Sequence, residues 1–82
     1  MFDLIFTAQA KKFLKKLDKS ESARIIATLE RCRVRPHAYA KKLVASPYFR
    51  IRAGGYRIIV DISSGDLIIL VIEIDHRRRV YK

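Results

Sequence analysis

Two adjacent glycines, Gly54-Gly55, lie between two segments in which apolar and polar residues alternate. Such a pair signals a two-residue β-hairpin, because glycine tolerates the positive φ angles that tight hairpin turns require. A two-residue loop also fixes how the flanking strands pair. Here it sets Arg52 directly opposite Arg57. This pairing constrains the fold more than any other feature, because it determines which side chains share each face of the sheet.

The predicted pairing gives the hairpin, Tyr48–Ala53 and Tyr56–Ile62, one apolar and one basic face. The apolar face consists of Phe49, Ile51, Ala53, Tyr56, Ile58 and Val60. The other face, here called the arginine face, carries Arg50, Arg52 and Arg57. Opposed like charges destabilise a sheet, whereas converging guanidinium groups offer planar forks of donors that suit a phosphate. The pattern favours an anion site. The alternative is three solvated arginines, or arginines paired with Asp61 or another carboxylate.

The segments before the hairpin predict one strand and two helices. Phe2–Phe6 alternates like a short strand, and Ala8–Leu17 has the apolar spacing of an amphipathic helix. Asp18 followed by Glu21 resembles a capping box, which begins a second helix. Pro36 should end that helix, because the residue before a proline resists helical geometry.

The segment after the hairpin predicts a central strand. Ser64-Gly65 marks a turn, and the continuous apolar run Leu67–Ile72 is typical of a strand that is covered on both faces. We therefore predict a single α+β domain over residues 1–82. Its four-stranded sheet comprises the N-terminal strand and a three-strand antiparallel meander, and the helical hairpin packs on one face.

Simple alternation along the last strand extends the arginine face. It places an apolar strip of Ile59, Ile68, Leu70 and Ile72 beside the arginines. A partner or the C-terminal segment must cover such a strip. The same alternation places His76 on the arginine face and Arg77 on the opposite one.

Composition narrows the classes of function. The 82 residues include 18 Lys and Arg but 8 Asp and Glu, a net charge of +10 that suits a polyanionic partner. Two His and one Cys are too few for a zinc site, and Cys32 alone cannot form an internal disulfide. We found no signal peptide and no apolar run long enough to span a membrane. These observations predict a cytoplasmic, soluble protein without a metal or a small-molecule cofactor.

Three blocks of the chain resemble the RelE/ParE toxin superfamily. They are Lys42-Leu43, the segment YFRIRAGGYRI at 48–58 and the segment HRRRVY at 76–81. The two longer blocks together are fairly specific, and the resemblance extends over essentially the whole chain. RelE-like members fit better than ParE-like members, because the terminal arginine and tyrosine are both present.

The resemblance implies a toxin of a type II toxin–antitoxin system. RelE-type toxins are ribosome-dependent endoribonucleases that cleave mRNA in the decoding site without a metal, and a RelB-like antitoxin neutralises them. The ribose 2′-OH attacks the adjacent phosphorus, which leaves a 2′,3′-cyclic phosphate and a 5′-OH. The expected partners are therefore the antitoxin, the ribosome and mRNA.

The resemblance also assigns roles to particular residues. Arg57 matches the family arginine at the scissile phosphate, Arg77 matches the arginine of the terminal block, and Tyr81 matches a tyrosine that stacks on a base or orients the nucleophile. Further contacts to RNA are expected from basic residues near these positions: Arg50, Arg52, Lys41, Lys42, Arg78 and Arg79.

The chain departs from the family where a general base is needed. Arg50 and Arg52 match positions that are often lysines, and arginine stays protonated at any relevant pH. His76 is then the candidate base, because an unperturbed imidazole titrates near neutrality. Tyr81 and the ribosome itself are the alternatives.

Two other functions remain open on the sequence. A ParE-type toxin would bind DNA gyrase and would not be an enzyme. A small basic RNA-binding protein of the translation machinery would explain the charge alone. Convergence of Arg57, Arg77 and Tyr81 on one patch, which requires a bend after Asp75 to bring Arg77 to the arginine face, favours the endoribonuclease.

Overall fold

A computed structural model of the protein describes residues 1–76. In chain order the elements are β1 (Asp3–Phe6), α1 (Ala8–Lys16), α2 (Lys19–Cys32), α3 (Pro36–Tyr39), β2 (Lys41–Lys42), β3 (Phe49–Ala53), β4 (Tyr56–Ser63) and β5 (Ile68–His76). The strands form one sheet in the order β1-β5-β4-β3-β2. The predicted α+β class is confirmed, with five strands and three helices among the described residues where four and two were predicted.

The predicted hairpin register is confirmed. Arg52 pairs with Arg57, Ile51 with Ile58 and Phe49 with Val60, and these pairs are antiparallel. Gly54 has a φ of 61°, so the turn uses the left-handed backbone region that glycine adopts without strain.

The N-terminal strand joins the sheet by a parallel pairing. β1 lies beside β5, with Phe6 opposite Val71, whereas the other neighbouring strands are antiparallel. The connection from β1 passes through both long helices and the hairpin before it reaches β5. The first strand therefore forms one edge of the sheet, beside the last strand.

The helices begin and end at recognisable residues. The Thr7 hydroxyl accepts a hydrogen bond from the Ala10 amide at 3.2 Å and so caps α1. Asp18 precedes α2 but makes no side-chain capping bond. The predicted start of the second helix at Asp18 is confirmed, but the capping box does not form, and Glu21 instead accepts a hydrogen bond from the Tyr56 hydroxyl at 3.5 Å. Pro36 begins α3, a position that suits proline since its missing N–H is not needed there.

The core lies between the long helices and one side of the sheet. Ile25, Leu29 and Cys32 of α2 are fully buried. They pack in one cluster with sheet residues that include Ile51, Ile58, Val60, Ile69 and Val71. This side is called the helix side, and the opposite side, which no described helix covers, is called the open side.

A β-bulge in β5 changes which residues face each side. Val60 pairs with Val71 but Ile59 pairs with Glu73, so Ile72 is an extra residue without a partner. Before the bulge Ile69 and Val71 face the core, and after it Ile74 does. The bulge thus reverses the alternation for the end of the strand.

Candidate functional site

The arginine face lies on the open side of the sheet, as predicted. Ile51 and Ala53 are buried on the helix side, so Arg50 and Arg52 project from the other side of the strand. Lys41 of β2 pairs with Arg50 and extends the arginine face toward the sheet edge. Four cations thus follow one another across three neighbouring strands.

Arg57 has a carboxylate neighbour. Its Nη2 atom lies 3.7 Å from Oδ2 of Asp75, with side chains that are 43% and 29% exposed, respectively. The two residues are cross-strand partners because the bulge turns Asp75 to the open side. An ion pair this exposed contributes little to stability, but it offsets part of the charge on Arg57. The predicted alternative of a paired arginine therefore holds for Arg57, with Asp75 and not Asp61 as the partner.

The other cations of the arginine face are free of such partners within residues 1–76. Lys41, Arg50 and Arg52 form no salt bridge to a described carboxylate. Together with Tyr39 they line a shallow pocket of about 260 Å³. The positive charge available to an anion is consequently concentrated at the β2–β3 end of the open side.

The two adjacent lysines lie on different sides of the sheet. Lys42 pairs with Phe49, and its Nζ atom is 5.8 Å from the centre of that ring. His37 packs edge-on against the same ring at 5.3 Å. Lys42 therefore belongs to the helix side. Both lysines were predicted to contact RNA, but only Lys41 lies beside the arginine face.

The predicted position of His76 on the arginine face is wrong. Its ring packs edge-on against Tyr56, 4.9 Å between centroids, on the helix side. There it helps to line a separate pocket of about 330 Å³ beside Phe13 and Ile74. The bulge at Ile72 is the cause, because one extra residue exchanges the two faces of the strand beyond it.

Two buried groups hold their protons more tightly than usual. Burial raises the pKa of Tyr56, and the nearby Glu21 carboxylate raises it further. Burial also raises the pKa of the Cys32 thiol, although Arg31 opposes the shift. Both side chains remain neutral near pH 7, so they serve packing and not anion binding.

An apolar strip accompanies the arginine face, as predicted. Ile59, Ile68, Leu70 and Ile72 are half-buried on the open side. Ile5 of the edge strand extends the strip and is 45% exposed. The open side thus has a basic end and an apolar end.

The sequence-based reasoning missed two residues at this site. Tyr39 stands in the pocket, but α3 and β2 are too short to give a periodic signal. Asp75 reaches Arg57 only because of the bulge, which the continuous apolar run conceals. The predictions for Arg77, Arg78, Arg79 and Tyr81 lie outside the described residues.

Residues 1–76 contain no cluster of three His, Cys, Asp or Glu side chains that could hold a metal ion. None of the helices in this part of the chain is long and apolar enough to cross a membrane.

Solved structures with the same fold come from bacteria and archaea. The RelBE2 toxin-antitoxin complex of Mycobacterium tuberculosis contains a chain with a TM-score of 0.82 and 23% identity, covering 93% of this chain and 98% of that one. The archaeal RelE–RelB complex from Pyrococcus horikoshii contains a chain with a TM-score of 0.82 and 22% identity, and the match covers 95% of this chain and 97% of that one. The isolated E. coli RelE toxin has a TM-score of 0.81 and 24% identity, and the match covers 99% of this chain and 92% of that one. The fold is therefore that of RelE-type toxins.

The sequence itself identifies the family. Residues 4–81 match the profile of the family described as the ParE toxin of type II toxin-antitoxin system, parDE. The chain belongs to this family of toxins, and the predicted membership of the RelE/ParE superfamily is confirmed. A comparison with curated proteins gave no significant match.

Proposed function

We propose that this toxin is a ribosome-dependent endoribonuclease that cleaves mRNA in the decoding site. The observation that carries the proposal is the arginine face with its extension at Lys41. Three of its four cations lack a carboxylate partner among residues 1–76, although like charges at such spacing destabilise a sheet. A phosphate backbone supplies the negative charge that this arrangement lacks.

The chemistry follows from what arginines can and cannot do. The 2′-oxygen forms a bond to phosphorus and loses its proton, while the bond to the 5′-oxygen breaks and that oxygen gains a proton. Arg57 and Arg52, on directly opposed positions, stabilise the charge that develops on the phosphoryl oxygens. Neither arginine can accept the proton, because a guanidinium stays protonated.

Proton transfer is therefore assigned to groups beyond the described strands. His76 lies on the helix side, away from the arginines, so we propose that Tyr81 or a ribosomal group removes the proton. His76→Gln should then leave both the cleavage rate and its pH profile unchanged. Tyr81→Phe should slow cleavage if the phenol itself transfers the proton.

The adjacent lysines provide a matched test of the proposed function. Lys41→Ala removes a cation from the arginine face, whereas Lys42→Ala removes one from the helix side. Primer extension on a translated message should show cleavage by the wild type and by Lys42→Ala, and weaker cleavage by Lys41→Ala. Arg57→Ala should abolish it. Equal loss in both lysine variants would show that net charge alone matters.

A second candidate function is inhibition of DNA gyrase. It is favoured by the family profile, which is described as a ParE toxin. A supercoiling assay with purified gyrase separates the two proposals. Inhibition of gyrase without cleavage of translated mRNA would support the ParE-type function.

We also propose a RelB-like antitoxin as the partner and the cytoplasm as the site of action. The RelE chains in the solved complexes are bound to RelB antitoxins. The apolar strip of the open side is a surface that a bound protein segment would remove from water. A co-expressed antitoxin should restore growth in cells that express this chain.

A further inference from the structure

We propose that Tyr39 is a stacking platform for one RNA base, and that Lys41, Arg50 and Arg52 hold the phosphates on either side of that base. The inference deepens the proposed function and rests on it for RNA as the ligand. It adds a positioning residue for a nucleotide other than the one that Arg57 contacts.

Tyr39 is the last residue of α3, and its backbone is fixed on both sides. Pro36, the first residue of the helix, is buried. The Ala40 amide donates to the Pro36 carbonyl at 3.1 Å, and Lys41 then enters the sheet beside Arg50. A short, closed turn between a buried proline and a strand thus holds the ring at the sheet edge.

The ring itself is not used by the fold. The Tyr39 side chain is 53% exposed and makes no hydrogen bond or ring contact with residues 1–76. Tyr56 is the opposite case, since it is buried, packs against Phe13 and donates to Glu21. An exposed aromatic ring beside a cationic pocket is the arrangement on which a base of single-stranded RNA stacks.

The pocket has the chemistry of a nucleotide site. Its lining residues are one phenol ring and three cations, with no carboxylate among them. Sites for single-stranded RNA combine a cationic groove along the backbone with aromatic rings on which bases stack. A volume of about 260 Å³ suits one nucleotide unit and is below the usual size of pockets for larger ligands.

The order of the side chains gives a path for the RNA across the sheet. Arg57 lies opposite Arg52, Arg50 follows one pleat away, and Lys41 lies opposite Arg50. Tyr39 stands at the far end of this row. Arg57 does not line the pocket, so a phosphate at Arg57 and a base at Tyr39 belong to different nucleotides of one RNA strand, and the tyrosine acts on binding more than on the chemical step.

Binding to short RNA tests the stacking directly and needs no ribosome. The probes are a single-stranded RNA oligomer and an abasic oligomer with the same number of phosphates. Tyr39→Ala should weaken binding of the first by about 5- to 150-fold, the range measured for one stacked base, and leave the abasic oligomer unaffected. Tyr39→Phe should bind like the wild type, and Tyr39→Leu like the alanine variant. Arg52→Gln should weaken both oligomers equally.

A fluorescent variant gives a second readout. The chain has four Tyr and no Trp, so Tyr39→Trp introduces a single indole. The RNA oligomer should quench its emission, and the abasic oligomer should not. Thermal unfolding of each variant shows that the fold is retained.

The outcomes separate this inference from the proposed function. On programmed ribosomes, Tyr39→Ala should raise KM with little change in kcat. If the wild type cleaves and the Ala variant matches it in KM and in oligomer affinity, the stacking role is overturned while the endoribonuclease stands. If the wild type does not cleave, the proposed function fails, and binding of the two oligomers still tests the stacking role of Tyr39. A loss of equal size on both oligomers would identify a backbone contact and would also overturn the inference.

Discussion

At the scale of single residues, Asp75 lies where it would compete with a bound phosphate for Arg57. The carboxylate lies 3.7 Å from the guanidinium, and a phosphate that binds Arg57 must displace or share this contact. Asp75→Asn keeps the shape of the side chain and removes its charge. We expect tighter binding to single-stranded RNA, because a phosphate at Arg57 no longer competes with a carboxylate.

The control for this change is Glu30→Gln. Glu30 pairs with Arg33 at 2.9 Å on another part of the molecule, so it alters net charge equally without touching the arginine face. Titrations at several salt concentrations compare the two variants. An equal gain in RNA affinity for both variants would show that Asp75 acts only through net charge.

Tyr56 makes stability depend on pH in the alkaline range. Burial raises the pKa of Tyr56 above the usual value for a phenol, about 10, so the folded protein holds the phenolic proton more tightly than the unfolded chain does. Stability from this group is complete below pH 10 and is lost as pH rises through the folded pKa. Urea unfolding between pH 9 and 11.5 should show a smaller alkaline loss for Tyr56→Phe than for the wild type. Parallel pH profiles for the two proteins would contradict this prediction.

At the scale of elements, Thr7 links α1 to the β-bulge. Its hydroxyl accepts from the Ala10 amide at 3.2 Å and donates to the Ile72 carbonyl at 2.7 Å. Thr7→Val keeps the shape but removes both bonds, and we expect a loss of about 1 to 2 kcal/mol in the free energy of unfolding. Thr7→Ser keeps the hydroxyl, so its free energy of unfolding should fall much less. Chemical unfolding curves measure both, and equal losses would mean that the methyl group and not the hydroxyl is important.

The elements also show what could be predicted from sequence. The hairpin register and its two faces follow from Gly54-Gly55, because a two-residue turn leaves one pairing for alternating strands. The bulge could not be predicted, since residues at both sides of β5 are apolar around Ile72 and give no sign of a change in alternation. His76 was consequently assigned to the wrong side. The parallel pairing of β1 with β5 joins distant segments and leaves no local pattern.

At the scale of the whole molecule, the charge predicts steep salt dependence. If four phosphates meet the row of cations, the log–log slope of affinity for single-stranded RNA is about −3. Lys41→Ala should reduce the slope by about 0.7, whereas Lys42→Ala should not change it, because that lysine lies on the helix side. Filter binding over a range of salt concentrations measures these slopes. A slope near zero for the wild type would remove the electrostatic basis of the proposed function.

The pairing of β1 with β5 also has a consequence for synthesis. Thr7 and Ile72, which meet at one end of this pair, are 65 residues apart in the chain. At translation rates of about 5 to 20 residues per second, the nascent first strand waits roughly 3 to 13 s before its partner has been made. During that interval the sheet cannot close, and the arginine face lacks the strand that brings Asp75 to Arg57. The sheet, and with it the pairing of Arg57 with Asp75, is therefore completed only after most of the chain has been made.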